Sequence, residues 1–301
     1  METVYNDYHD KDVQFVYVYK ALAHPEWNGY VTPVSLKERL MQIAEAKRTL
    51  GTKFTWLSDN MNNEFKGALG GAPNSEWIID PKGVIVGRRD WSNAADLRKD
   101  LERIIGPVDH VTTIAELDMP THEPYKAAAS GVVPNIHKPR GMRPLSVAHV
   151  KTNDGDPFYA KLRAEAPSDV VKKGEGTMYL RFMMDPLYHV HWNNLVDPIH
   201  VEILAPEGVT VTPNVLDGPK VDTAEGDIDP REFLVKVAGA KEGDTFTLKA
   251  RYYACTADWC LPVEQEYAVT LDMDHNGGFV IRMSDMRRRR GGGGGGGGKK
   301  N

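Results

Sequence analysis

The stretch Tyr252-Tyr253-Ala254-Cys255-Thr256-Ala257-Asp258-Trp259-Cys260-Leu261-Pro262 holds both cysteines of a 301-residue chain and lies between two strand-like runs, Thr245 to Ala254 and Glu266 to Asp272. Four residues separate the sulfurs, a gap that lets a tight turn bring the two Cβ atoms to bridging distance. Two cysteines exclude a multi-disulfide scaffold and a four-thiolate zinc site, and leave open a single bridge, a dithiol or two idle thiols. As a staple the pair is poorly placed: closing a loop of six residues contributes about 2 kcal/mol through chain entropy, less than a bridge across a sandwich would. A small disulfide loop at a strand end is better suited to exchange with a partner thiolate. Asp258 would disfavour a nearby thiolate and the rings of Tyr253 and Trp259 would desolvate it, so the pair should be acted on by a better nucleophile.

Outward from this stretch, strand-like runs recur at Phe158 to Glu165, Met178 to Met184, Ile199 to Leu204 and Phe233 to Val237, with Pro and Gly between them. Their spacing predicts an all-β domain over residues 145–275, a β-sandwich of immunoglobulin-like type. Residues 1–107 read differently, as an α/β unit. A strand over Val13 to Tyr19 is followed by an amphipathic helix over Ser35 to Leu50 with Gly51 as a stop, then strands at Phe54 to Leu57 and Trp77 to Asp80. The turn Asp80-Pro81-Lys82-Gly83 leads into Val84-Ile85-Val86 as a hairpin, and a helix over Ala94 to Ile105 ends at Gly106-Pro107. Residues 108–144 contain five prolines and no sustained periodicity, which predicts an interdomain linker with one short helix around Glu123 to Ala129. Residues 276–301, with Arg287 to Arg290, eight glycines and Lys299-Lys300, predict a disordered, solvated basic tail.

Composition sets the partner classes. Hydrophobic residues at 41% and charged residues at 26% suit two packed soluble domains, and a net charge of -5 supplies no basic field for nucleic acid. The longest apolar runs are strand-sized, below the ~20 residues of a membrane-spanning helix, so no span is expected. Met1 to Lys11 is acidic and aromatic, unlike a secretory signal. No cofactor and no resident metal are expected. The competing reading is a metal site: His189 and His191, read as alternating on one strand, point to the same face and could share a metal with His200 or a carboxylate. His24, before a proline, reads as a turn residue, and Trp56 and Trp77 as core filling.

Two resemblances sharpen these expectations. Asp185-Pro186-Leu187-Tyr188-His189-Val190-His191-Trp192-Asn193-Asn194, then Pro206-Glu207-Gly208-Val209, then Tyr253-Ala254-Cys255 through Cys260-Leu261-Pro262, resemble the N-terminal periplasmic domain of the DsbD thiol:disulfide interchange family. That resemblance implies an immunoglobulin-like domain whose cysteines, matching Cys255 and Cys260, shuttle electrons among extracytoplasmic thiol proteins. The family's domain usually precedes a membrane electron-transfer domain; with none in this sequence, electrons are expected from a separate thioredoxin-like protein. Phe15-Val16-Tyr17-Val18-Tyr19, Ala23-His24-Pro25 and Trp27-Asn28-Gly29-Tyr30 are similar to the thioredoxin-like iodothyronine deiodinase and peroxiredoxin group. In that group the reactive cysteine or selenocysteine lies upstream, and Leu22 stands where a deiodinase-type acid is usual. The resemblance therefore implies a truncated thioredoxin-like domain, without cysteine in residues 1–107, that binds or positions a partner. The bland alternative for the whole chain is a scaffold protein with a structural bridge.

Overall fold

The computed structural model describes residues 1–22, 24–25, 29–119, 122, 128–153 and 156–275. The chain divides into two compact units, Met1–Leu22 with Pro33–Pro124 and Ala23–Thr32 with Tyr125–Asn301. The basic tail and most of the short helix expected around Glu123 to Ala129 lie outside the described residues, as do Ala23 and residues 26–28.

The first unit runs α1 (Glu2–Tyr8), β1 (Val16–Tyr19), α2 (Leu36–Leu50), β2 (Thr55–Ser58), α3 (Glu64–Leu69), β3 (Glu76–Ile79), β4 (Ile85–Arg89) and α4 (Ala94–Ile104). Helix α2 begins where the Ser35 hydroxyl accepts the Glu38 N–H at 3.2 Å and ends at Gly51, whose φ of 60° suits a residue lacking Cβ. Helix α1 is absent from the sequence reading. It forms because Val4 and Tyr8, four residues apart, share a face that packs on Leu97 and Leu101 of α4. Asp7 adds an ion pair with Arg98 and accepts the Thr112 N–H at 3.1 Å.

Strands β1 and β2 pair in parallel, β3 and β4 antiparallel, and the two pairs remain separate two-stranded sheets among the described residues. Trp56 and Trp77 are half-buried rather than core; the Arg88 guanidinium lies 4.6 Å over the Trp77 ring. His24 is exposed in a bend.

The second unit is β-rich: β5 (Met142–Lys151), β6 (Ala160–Pro167), the short α5 (Ser168–Lys173), β7 (Gly176–Met184), β8 (His191–Asn193), β9 (His200–Leu204), β10 (Thr210–Thr212), β11 (Val215–Asp217), β12 (Gly226–Asp227), β13 (Arg231–Ala238), β14 (Thr245–Cys255) and β15 (Cys260–Met273). Strand β5 joins two layers: Met142 to Pro144 pair with β6, and Leu145 onward pairs with β15. One layer continues β6, β7, β13, β10; the other continues β15, β14, then β8 and β9 side by side.

One core fills the space between the layers: β14 and β15 alternate buried and exposed residues with the two-residue period of a half-buried strand, whereas β6 and β7 are buried almost throughout. Along β14, Phe246, Leu248, Ala250, Tyr252 and Ala254 point inward, meeting Leu162, Ala164, Leu180 and Phe182 of the other layer in the same cluster. Two buried phenols cross it: the Tyr252 hydroxyl accepts the Ala160 N–H at 2.9 Å, and the Tyr267 hydroxyl donates to the Ala160 carbonyl at 2.9 Å. Burial pushes both phenols well above the ordinary tyrosine range, so they stay protonated.

Much of the stretch that reads as a linker is held against this unit. Backbone N–H groups of Gly131, Val132 and Val133 donate to the Asp229 carboxylate at 2.8, 2.7 and 2.9 Å, and Lys138 pairs with Glu165 at 2.8 Å. Proline-rich composition hides this, since the anchoring carboxylates lie far away in sequence.

Beside Asp229, the Arg231 guanidinium makes two 2.8 Å bonds to the Asp227 carboxylate, both residues being buried. Burial opposes Asp227 ionisation, but the Arg231 bonds and charge, with Asn194 and the Asp229 N–H, hold its carboxyl below the usual value. The Asp227→Asn variant, which leaves the guanidinium buried without its counter-charge, is expected to lose about 3–5 kcal/mol of stability in a urea titration at neutral pH. Because the folded value is depressed, this contribution is present above the unfolded Asp value of about 3.9. The gap between wild type and variant should therefore close as the pH falls below that value and through the folded one.

Candidate redox site

The two cysteines end adjacent strands. Strands β14 and β15 pair antiparallel from Thr245↔Thr270 through to Cys255↔Cys260, and the sulfurs are joined in a disulfide across that last pair. Residues 256–259 form the connecting loop. The Thr256 N–H donates to the Trp259 carbonyl at 2.8 Å, and the Thr256 hydroxyl accepts the N–H groups of Asp258 and Trp259 at 3.1 and 3.3 Å. A threonine at the head of a turn closes it in this way without needing a particular residue at the tip.

The two ends of the bridge differ in access. Cys255 is 4% exposed, flanked by β15 on one side and by His191 of β8 on the other, whereas Cys260 is exposed. Asn193 of β8 donates from Nδ2 to Cys260 Sγ at 3.3 Å. Among the supporting residues expected from sequence, Trp259 leans on the Tyr159 ring, centroids 5.7 Å apart, and Tyr159 meets Tyr188 edge-on at 5.6 Å. Tyr253 and Trp259 are each 38% exposed, so they border the bridge without sealing it. Asp258 sits exposed in the loop.

No protein-family model, curated protein or solved structure matches the chain.

Strand β8 is held by polar partners that the sequence did not single out, Asp227, Asp229 and Arg231. The Trp192 indole N–H donates to the Asp229 carbonyl at 2.9 Å, and the Arg231 guanidinium lies 5.1 Å over the indole. Asn194 donates to Asp227 Oδ2 at 2.8 Å and to the Ala224 carbonyl at 3.0 Å. Gly226 faces Asn193 across the β8–β12 pair and has no room for a side chain: a Cβ there would lie 2.4 Å from His191 Nδ1. A cleft of about 540 Å³ opens along this strand, lined by Asn193, Leu195, Val196, Pro219, Lys220 and Tyr253 among others. The legible signal was the run His191-Trp192-Asn193-Asn194; the role of Asn193 was not legible, because its sulfur partner is 67 residues away.

The histidine reading needs correction. His189 is not on a strand: it caps the single turn Pro186–Tyr188 with φ 55°, and only His191 belongs to β8. The two imidazoles therefore do not share a strand face. His191 Nδ1 is engaged with the Trp192 carbonyl at 2.9 Å, and His200 pairs with Asp217 at 2.7 Å. Among the described residues no cluster of three or more His, Cys, Asp or Glu is arranged to hold a metal ion. No helix among them is long and apolar enough to cross a membrane.

Unequal burial makes the two thiols unequal in reactivity, since a thiolate must be both solvated and reachable. In single-cysteine variants, Cys255→Ala, which leaves Cys260, should react with an aryl disulfide at least about tenfold faster than Cys260→Ala, which leaves Cys255. Release of the chromophoric aryl thiol reads both rates.

Proposed function

We propose that this protein exchanges disulfides with other thiol proteins, taking up and passing on electron pairs through Cys255 and Cys260. The observation that carries the reading is a disulfide at the tip of a hairpin with one sulfur exposed and the other buried. Strands β14 and β15 are already registered by their backbone pairing, so the bridge adds little constraint that the hairpin lacks. Its position, where another protein can reach one sulfur, suits exchange better than stapling.

The chemistry follows from that asymmetry. A thiolate of a partner dithiol protein attacks Cys260 Sγ; the new intermolecular S–S bond forms as the Cys255–Cys260 bond breaks, and the electron pair leaves on the Cys255 sulfur, which takes a proton from solvent. The partner's second thiolate then attacks its own sulfur in the mixed disulfide and releases Cys260. The partner is oxidised to a disulfide, and this protein is reduced by two electrons and two protons to a dithiol. Reversal passes the pair onward.

The finer reading rests on the resemblances. The second unit is proposed as an immunoglobulin-like sandwich of the DsbD N-terminal type, supported by two strand layers sharing one core. An extracytoplasmic, periplasmic-type location fits, because protein disulfides persist in oxidising compartments. The first unit, with no cysteine in residues 1–107, is proposed as a thioredoxin-like scaffold that presents a surface to thiol partners. Its strand and helix order supports this.

Equilibration with a thioredoxin-type dithiol at graded potentials tests the exchange reading, with the redox state of the pair read by thiol-specific mass tagging. The pair should interconvert with a midpoint above about −300 mV, and the Cys255→Ser/Cys260→Ser double variant should keep its fold while losing all exchange. A bridge that stays closed below that potential in the presence of the dithiol is structural, and the reading falls.

A further inference from the structure

Asn193 offers an inference that deepens the exchange reading and rests on it. The direction of its side-chain amide is set by a second bond: Asn193 Oδ1 accepts the Leu195 N–H at 2.9 Å, which leaves the Nδ2 end facing Cys260 Sγ at 3.3 Å. The strand carrying it is fixed on both sides. Trp192 and Asn194, its chain neighbours, are bonded into the buried Asp227–Asp229–Arg231 network, and Gly226 across the β8–β12 pair leaves the backbone close against His191. The amide donor is thus in place before any reaction begins.

We propose that Asn193 is a catalytic hydrogen-bond donor that stabilises Cys260 as a thiolate and so makes Cys260 the sulfur that enters and leaves the mixed disulfide. A neutral disulfide sulfur is a weak acceptor and a thiolate a strong one, so the Nδ2–H bond strengthens as charge arrives on Cys260. An interaction stronger in the charged state than in the resting one is the kind that speeds a step rather than merely holding a shape. When a partner's second thiolate attacks the mixed disulfide, the partner's own S–S bond forms, the bond to Cys260 breaks, and the electron pair lands on Cys260 Sγ beside this donor. In the reverse direction the same thiolate is the nucleophile that opens an oxidised partner's disulfide. Cys255, buried between two strands, shows no comparable side-chain donor in the described structure and serves as the resolving thiol.

The test uses the full chain in a Cys255→Ala background, so that Cys260 alone titrates, and follows the pH dependence of iodoacetamide alkylation. Asn193→Asp keeps an acceptor for the Leu195 N–H, removes the donor and adds a like charge. Asn193→Ser removes the reach without adding charge and guards against a misfolded Asp variant, with circular dichroism confirming the fold of each. The Ser change should raise the midpoint of thiolate formation by about one pH unit, making alkylation about tenfold slower below the midpoint, and the Asp change should raise it further. A folded variant pair with the midpoint of the Asn193 parent overturns the proposal and leaves the exchange reading intact. A shifted midpoint in a protein whose native pair refuses exchange supports the donor role and overturns the exchange reading instead.

Discussion

The antiparallel pairing of β14 with β15 is the constraint on which the rest of the second unit depends. It sets two things at once. Along its length the two-residue alternation turns Phe246, Leu248, Ala250, Tyr252, Val263, Tyr267 and Val269 inward, so the strand pair supplies much of one wall of the core. At its end the same register sets Cys255 opposite Cys260. A slip of one residue would expose every inward side chain, so the hydrophobic core itself fixes where the sulfurs meet. The disulfide inherits its position from packing.

A second constraint holds the short strand β8 against the end of β14. It is built from buried polar groups rather than apolar ones: Arg231 with Asp227, Trp192 with the Asp229 carbonyl, Asn194 with both Asp227 and Arg231. Burying such groups is costly unless each finds partners, and here the partners are mutual. The network also reaches the stretch after the first unit, since Asp229 chelates three successive backbone N–H groups at Gly131 to Val133. A three-residue strand has too few backbone pairs to be positioned by its ladder alone. Side-chain hydrogen bonds do that positioning, and Asn193 meets the sulfur as a result.

The first unit follows simpler rules. Helices α2 and α4 have capping side chains at their starts, Ser35 and Asn93, and both helices were legible from their apolar spacing and the glycines that stop them, Gly51 and Gly106. Helix α1 was not, because its apolar face is only Val4 and Tyr8 and gains its stability from α4, nearly a hundred residues on. The β3–β4 hairpin was legible from its turn residues, Asp80 to Gly83, although Ile79, Val84, Ile85 and Val86 around that turn are exposed and Trp77, read as core filling, is half-buried.

The sequence by itself determined the β-rich character of the second half, the strand runs on either side of the cysteines, and the presence of a single cysteine pair spaced to close a short loop. Those are properties of local pattern, and local pattern is what strand alternation, turn residues and cysteine spacing encode. Only the tertiary structure decided that Cys260 is exposed and Cys255 buried, that His189 leaves the strand its spacing with His191 implied, that the proline-rich stretch is held by distant carboxylates, and that Asn193 faces Cys260. Each of these depends on residues brought together from far apart in the chain, where the energy of burial and of long-range hydrogen bonds, rather than the preference of any one segment, selects the arrangement.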